Sequence, residues 1–323
     1  MKRVIGIGNA LVDIMVKIPG EELLKEFNMP KGSMQLVDAE RSEQVKRGTG
    51  NLARSVSSGG SVANTIHALA ILGARPGYIG STGTDELGEY FVNDLLAAGA
   101  DPVIFRRSCA TGTAVALVTP DSERTFATYL GAAVDLNSAE ISDGLLEGYD
   151  ILYIEGYLIT SFELVESLCR TAKSLGMEVA LDLSSFNVVE AFREQFSKIT
   201  REYVDILFAN EEEAKALTGL DAEEAVSALS EFCRITVVKT GCRGSLIRRG
   251  AEILRIGVIP VKPVDTTGAG DMYAAGFLYC YCKDEPLDQC GAFGALLAGS
   301  VIEHIGAKLP SEKWSEIKTI LNQ

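Results

Sequence analysis

The chemistry in this sequence is most concentrated at Asp265-Thr-Thr-Gly-Ala-Gly-Asp271, a run that could cradle an anion and supply a base to react beside it. It follows an extended-looking segment, Val258 to Val264, and leads into an apolar helix that opens Met272-Tyr-Ala-Ala-Gly-Phe-Leu. Gly268 and Gly270 let successive backbone N–H groups converge at the first helical turn, where unpaired donors and the positive end of the helix dipole favour an anion. A transferring phosphoryl group suits such a nest, and Asp271 beside it can take the proton of an attacking hydroxyl. One preorganised donor is worth roughly 3–4 kcal/mol and a positioned base about 10²–10⁴ in rate, so neither suffices alone. An isolated Thr-Gly-x-Gly only marks a capped helix start. The order strand, glycine turn and helix lifts this run above that reading.

Other phosphate cradles are absent from the sequence. No Gly-Lys dipeptide occurs, so there is no Walker-type loop, and Gly6-Ile-Gly8 is followed by Leu11 where a dinucleotide fingerprint needs a third glycine. With only His67 and His304, neither a zinc hydrolase site nor a histidine-based triad is readily assembled. His67 sits on an apolar helix as a packing residue. His304 follows another apolar helix and is assigned to the wall of a nucleotide pocket.

Positioning this chemistry requires a scaffold, and the chain of 323 residues, 47% hydrophobic and 23% charged, is long enough for one large α/β domain. Apolar runs at Val4 to Ile7, Tyr78 to Gly80, Asp150 to Ile154, Glu178 to Leu183, Val204 to Phe208 and Ile235 to Lys239 read as buried strands. Helices are expected between them at Ser61 to Leu72, Glu86 to Ala98, Phe162 to Leu175, Glu211 to Leu217 and Ala222 to Phe232, the pattern of parallel strands with crossover helices. Two segments, about 12–37 and 111–130, break the rhythm with alternating strands and a turn at Pro120-Asp121-Ser122. They predict a small β lid on a single domain spanning 1–323. A further hairpin is expected at Arg249-Gly250.

A net charge of −14 repels nucleic acid and anionic membrane surfaces alike. Seven cysteines without a Cys-x-x-Cys pair read as reduced, buried thiols. Asn9, Asp13 and Lys17 interrupt the first apolar run too early for a signal peptide, and no apolar stretch reaches the length of a membrane span. The expected location is the cytoplasm.

The 265–271 run together with Ser58-Gly59-Gly60-Ser61-Val62-Ala63-Asn64 resembles the two signatures of the ribokinase-like, or PfkB, carbohydrate kinases, and the similarity covers nearly the whole chain. The resemblance implies a three-layer αβα fold, with a mostly parallel central sheet and a β lid, and an ATP-dependent kinase with an alcohol acceptor. Asp271 would be the base, with Gly268, Ala269 and Gly270 as the anion hole. Asn210-Glu-Glu-Glu213 resembles the element that organises Mg²⁺ through water or phosphate, which gives Asn210 and Glu213 that role. Thr240, Gly241 and Gly244 resemble the nucleotide loop, and Thr267 also belongs to the cofactor side. A monovalent cation near Asp265 and Thr267 is implied by some relatives.

Within the family, the nearest likeness is to adenosine kinase-like members. Gly8-Asn-Ala-Leu-Val-Asp13 resembles their ribose-binding segment, placing Asn9 and Asp13 at the substrate with Gly60, Ser61 and Asn64. A carboxylate that accepts two hydroxyl protons favours a cis-diol. Lys31-Gly-Ser-Met-Gln35 and Arg124-Thr-Phe-Ala-Thr-Tyr-Leu resemble the lid strands, with Gln35 as a base contact and Arg124 as partner of the transferred phosphate. Thr267 stands where many adenosine kinases carry Asn, as sugar kinases of the family often do. The expected partner is therefore a nucleoside phosphorylated on its 5′-OH, with ribose, fructose or a related sugar as the alternative. A non-catalytic nucleoside or sugar sensor is the alternative of another class. The chain is expected as a monomer or homodimer.

Overall fold

The structure, a computed structural model, describes residues 1–121 and 123–321. Ser122, the last residue of the expected 120–122 turn, lies outside them. Nine strands form the main sheet in the order Glu252–Ile256, Ser245–Arg249, Ile235–Lys239, Ile206–Asn210, Glu178–Asp182, Ile151–Glu155, Val4–Ile7, Gly77–Gly83 and Asp101–Arg107. All neighbours are parallel except along the hairpin at Arg249-Gly250, whose two strands run antiparallel to each other and to Ile235–Lys239. The fold is α/β of the expected kind, and helices cover both faces.

Burial on both faces explains the near-continuous apolar strands. One core lies beneath helices Ser61–Ile71, Ala269–Tyr281, Leu287–Val301 and Ser311–Leu321, and a second beneath Phe162–Ser174, Arg193–Glu202, Glu211–Thr218 and Ala222–Leu229. In the first core the fully buried Phe208 ring meets Tyr153 edge-on at 6.1 Å and Phe277 at 5.3 Å, which ties the middle of the sheet to the helix carrying Asp271. The parallel strands end together along one edge of the sheet. Glu155, Asp182, Asn210 and Lys239 are each the last residue of their strand, so their side chains gather where crossover connections begin, the usual place for ligands in such sheets.

A second sheet runs Met34–Leu36, Arg124–Tyr129, Gly112–Val118, Leu11–Lys17 and Arg54–Gly59. Its period of two is plain along Leu11–Lys17: Val12, Ile14 and Val16 are buried in the first core, while Asp13 points to the opposite face. Arg54–Gly59 lies outside the two expected lid segments. Its polar sequence, Arg-Ser-Val-Ser-Ser-Gly, carries no apolar alternation because it is an edge strand exposed over its first half. Asp101–Arg107, which also escaped the sequence reading, is an edge strand of the main sheet, with a short apolar centre, Val103 to Phe105, that is only half-buried.

The segment Val258 to Val264 departs from expectation in another way, since it forms no strand. Pro260 and Pro263 remove the donors a ladder would need, and the stretch is an irregular wall. The helix that follows starts at Ala269, not at Met272. No described helix is long and apolar enough to cross a membrane. Five of the seven cysteines are buried as expected, whereas Cys242 is exposed and Cys109 partly so, and all seven are free.

Removing the Phe208 ring, as in Phe208→Ala, is expected to cost about 3–5 kcal/mol of unfolding free energy in urea titrations, from lost burial plus the cavity left between Tyr153 and Phe277.

Candidate active site

Asp271 occupies the first turn of Ala269–Tyr281, where it meets the first turn of Ser61–Ile71. Ser61 Oγ donates to Asp271 Oδ1 at 2.7 Å and Asn64 Nδ2 to Oδ2 at 2.8 Å, while Thr65 Oγ1 donates to the Asp271 carbonyl at 3.0 Å. Ser61, Asn64 and Thr65 share one helical face by spacing, so a single helix start fixes the carboxyl in position and angle. Burial pushes the Asp271 carboxyl up to about 6; the Asn64 and Ser61 bonds and the Lys239 ammonium oppose that rise, and the Asp182 carboxylate adds to it. A carboxyl with these properties is ionised at neutral pH and still basic enough to accept a proton.

The glycine turn lies directly before it. Gly268 is in the left-handed region at φ 75°, and a Cβ there would stand 2.6 Å from Cα of Ala307, so only glycine fits. Among the described residues, the N–H groups of Gly268 and Gly270 have no intrachain acceptor, as an anion nest requires. Ala269 differs from the expected trio, because its N–H donates to the Thr266 carbonyl at 3.2 Å.

Asp265 anchors the other end of the turn. It accepts from Thr267 N at 3.0 Å, Thr267 Oγ1 at 2.8 Å and Gly306 N at 2.5 Å, and it pairs with Arg124, which also donates to Thr267 Oγ1 at 2.5 Å. Burial alone would raise the Asp265 carboxyl; the Arg124 guanidinium and the surrounding N–H groups outweigh it and hold the group below its usual range. Arg124, on the second sheet, thus contacts the turn of the main domain directly. Around the Asp265 side chain the neighbours are donors.

A cleft of about 640 Å³ opens in front of Asp271 and Gly270. Its polar wall includes Ser61, Asp182, Asn210, Glu213 and Lys239, its floor the loop with Gly241 and Gly244, and its far wall apolar residues from Val258 to Pro263 with Ala298 and Ile302. Thr240 supports that loop, with its N–H and hydroxyl both on the Gly244 carbonyl at 2.7 and 2.9 Å. Asn210 and Glu213 form a reciprocal capping box: Asn210 Oδ1 accepts from Glu213 N at 2.8 Å, and Glu213 Oε2 from Asn210 N at 2.7 Å. The Asn210 amide also donates to Glu213 Oε1 at 2.8 Å. Burial pushes Glu213 up to about 7, against the pull of Lys239.

Both oxygens of Glu213 already accept one hydrogen bond each, and among the described residues no group of three or more His, Cys, Asp or Glu could hold a metal ion. Direct Mg²⁺ chelation by the protein does not fit these residues. A Mg²⁺ carried on nucleotide phosphates and met through water by Asn210 and Glu213 does.

Lys239 and Asp182 escaped the sequence reading. Lys239 Nζ donates to Asp182 Oδ2 at 3.0 Å, and burial, which alone would lower the amine, is outweighed by the Asp182 and Glu213 carboxylates. Their signal was available: each ends a parallel strand. Glu155 was missed as well. It is buried at 1% exposure and pushed up to about 7 by burial, and it accepts from Asn9 Nδ2 at 2.8 Å and Val62 N at 3.2 Å.

Of the residues expected at the substrate, Asn9 is turned into the protein toward Glu155, and Gly60, at φ 96°, packs on the Asn9 carbonyl before the helix at Ser61. Asp13 is pushed up to about 6 by burial, with Lys308 and Arg124 opposing and Asp271 adding. Gln35 is half-buried on Met34–Leu36, opposite Ala127. His67 is a packing histidine, lowered to about 4 by burial. His304 is not among the residues lining the cleft, in contrast to its expected place; Ile302, two residues earlier, is.

Comparison with known proteins places this geometry among relatives. The pfkB family carbohydrate kinase profile matches residues 34–314. A solved adenosine kinase from Sinorhizobium meliloti is similar at 35% identity and TM-score 0.88, covering 99% of each chain. A solved probable sugar kinase from Rhizobium etli CFN 42 is similar at 34% identity and TM-score 0.89, over 99% of this chain and 98% of that one. Adenosine kinase of Saccharomyces cerevisiae is 28% identical over 97% of this chain and 98% of its own.

The two nest glycines should separate on substitution. Gly268→Ala is expected to lose about 1–2 kcal/mol from the left-handed backbone, with a further loss from the Ala307 clash. Gly270→Ala, which meets only the flexible Lys239 amine at 3.2 Å, should leave the unfolding midpoint nearly unchanged. Chemical denaturation of both variants checks this.

Proposed function

The chain belongs to the pfkB family of carbohydrate kinases and is an ATP-dependent kinase of the nucleoside and sugar kinase kind, and we propose that its acceptor is a nucleoside phosphorylated on the 5′-OH with Asp271 as the base. The observation that carries this reading is the Asp271 carboxyl, gripped by Ser61 and Asn64 in the wall of the cleft.

In this mechanism Asp13 accepts hydrogen bonds from two vicinal ribose hydroxyls, which presents the 5′-OH to Asp271. Asp271 takes the hydroxyl proton as the oxygen attacks the γ-phosphorus; the new O–P bond forms, the β–γ bridging bond breaks, and ADP leaves. Growing charge on the phosphoryl oxygens meets the unpaired N–H groups of Gly268 and Gly270 and the dipole of Ala269–Tyr281. Lys239 balances the phosphate charge and keeps Asp182 from repelling it. Arg124 brings a cation from the second sheet to the same turn, and closure of that sheet over the acceptor excludes water. Bound Mg²⁺ would screen the nucleotide phosphates. Gly241 and Gly244 hold the nucleotide, and Gln35 meets the acceptor base. These residues make one domain with a closing sheet.

A sugar acceptor is the second reading, favoured by Thr267 and by the likeness to a probable sugar kinase. Purified protein with Mg·ATP and a panel of adenosine, other nucleosides, ribose, fructose and phosphosugars separates the two through ADP release. Fastest turnover on adenosine supports the proposal, fastest turnover on a free sugar replaces it, and turnover on none favours a sensor.

Asp271→Asn is expected to lower kcat by at least about 10², with acceptor affinity within a few-fold. Because the base must be ionised and burial sets its carboxyl near 6, kcat should be full above neutral pH and fall as pH drops through about 6. A pH-rate profile flat down to about 4.5 would remove Asp271 from that role. Asp13→Ala should weaken acceptor binding far more than ATP binding, measured as separate KM values.

A further inference from the structure

The cleft in front of Asp271 has two unlike ends. At one, the unpaired Gly268 and Gly270 amides and the Lys239 ammonium favour the charged phosphates of a nucleotide. The base of that nucleotide then lies toward the other end, which Ala295, Ala298 and Ile302 line together with Val258, Ile259 and Val261. The first three share one face of Leu287–Val301 and its C-terminal turn by spacing. At Gly299 that helix touches the irregular wall, since a Cβ there would stand 3.1 Å from Cβ of Ile259, so packed apolar surface closes this end.

We propose that the kinase draws its phosphate from purine nucleoside triphosphates with little regard to the polar edge of the base: the triphosphate is selected at the nest, and the ring is held by apolar contact.

The inference rests on the nest as the phosphate site of the reading above. A pocket rejects a wrong base when its own buried donors and acceptors are left unpaired. Among the described residues at this end of the cleft, none carries a side-chain donor or acceptor. The polar lining residues stand elsewhere. Thr266 and Tyr273 lie on the turn and the helix that carry Asp271, and the Tyr273 hydroxyl is already paired with Ser245 Oγ at 2.6 Å. Cys242 on the floor loop offers only a thiol, a weak partner. Along the wall, Pro260 and Pro263 have no N–H to offer. The wall is also wet, with Val258 49% exposed, so a backbone group that one base leaves unpaired turns to water at little cost. ATP and GTP carry the same ring system with opposite hydrogen-bonding edges. Apolar contact treats them alike.

The test is calorimetric binding of the β,γ-imido analogues of ATP and GTP, each with Mg²⁺ and with no acceptor present. Their dissociation constants should agree within about tenfold, whereas a site built to read one polar edge separates such ligands by about 10⁴ or more. A preference wider than about tenfold for either analogue would overturn the inference. Ala298→Leu, which fills the space assigned to the ring and keeps a good helix former, locates the base. It should weaken both analogues by a similar factor of at least about ten, while inorganic tripolyphosphate with Mg²⁺ binds within about twofold of wild type. No loss, or loss for one analogue only, would also overturn it. If Ala298→Leu does not fold, the wild-type comparison decides alone. Wild-type protein that binds neither analogue would sink the phosphate reading and this inference with it, whereas tight binding of the ATP analogue alone sinks only the inference.

Discussion

A carboxyl group sealed where two helices begin is the constraint on which the rest of the molecule depends. Withdrawn from bulk water, Asp271 would be costly to ionise, yet a fully solvated carboxylate would be too weak a base. Ser61 and Asn64 supply the hydrogen bonds, Lys239 the nearby positive charge, and the first turn of Ala269–Tyr281 the dipole that together keep the charged form accessible. Removing any of these donors leaves a buried charge short of partners, which is the expensive direction of error.

The arrangement follows from the sheet. Parallel strands that stop together bring Glu155, Asp182, Asn210 and Lys239 to one edge, and each has a separate task there. Glu155 ties the loop at Asn9 to the start of Ser61–Ile71, so it orients the helix that orients Asp271. Asp182 anchors Lys239, while Asn210 and Glu213 satisfy each other and cap the start of Glu211–Thr218. The second sheet reaches the 265–271 turn through Arg124, which pairs with Asp265 and donates to Thr267.

Much of the fold was legible because burial writes itself into composition. Strands covered on both faces are unbroken apolar runs, and the helices between them end at readable signals such as Gly99, which takes the left-handed conformation. Among the elements missed, Arg54–Gly59 is an edge strand with a polar sequence and Asp101–Arg107 an edge strand whose apolar centre is only half-buried, while 258–264 looked extended yet contains prolines that forbid a ladder. The same logic divides the site. Asp271, Gly268 and Gly270 stand in one contiguous run and could be read directly. Glu155, Asp182 and Lys239 are single residues at strand ends, scattered over more than eighty positions, and only the topology brings them together. The Ala269 amide and the His304 ring were assigned by position alone; the Ala269 N–H is taken by the Thr266 carbonyl, and His304 is not among the residues lining the cleft.

A crystal structure with adenosine and a non-hydrolysable ATP analogue bound together tests the central claim most directly. The account predicts the 5′ oxygen about 2.6–3.2 Å from an Asp271 carboxylate oxygen, with the terminal phosphate facing the Gly268 and Gly270 amides. An acceptor hydroxyl directed at another base, with Asp271 still closed on Ser61 and Asn64 and out of reach, would contradict it.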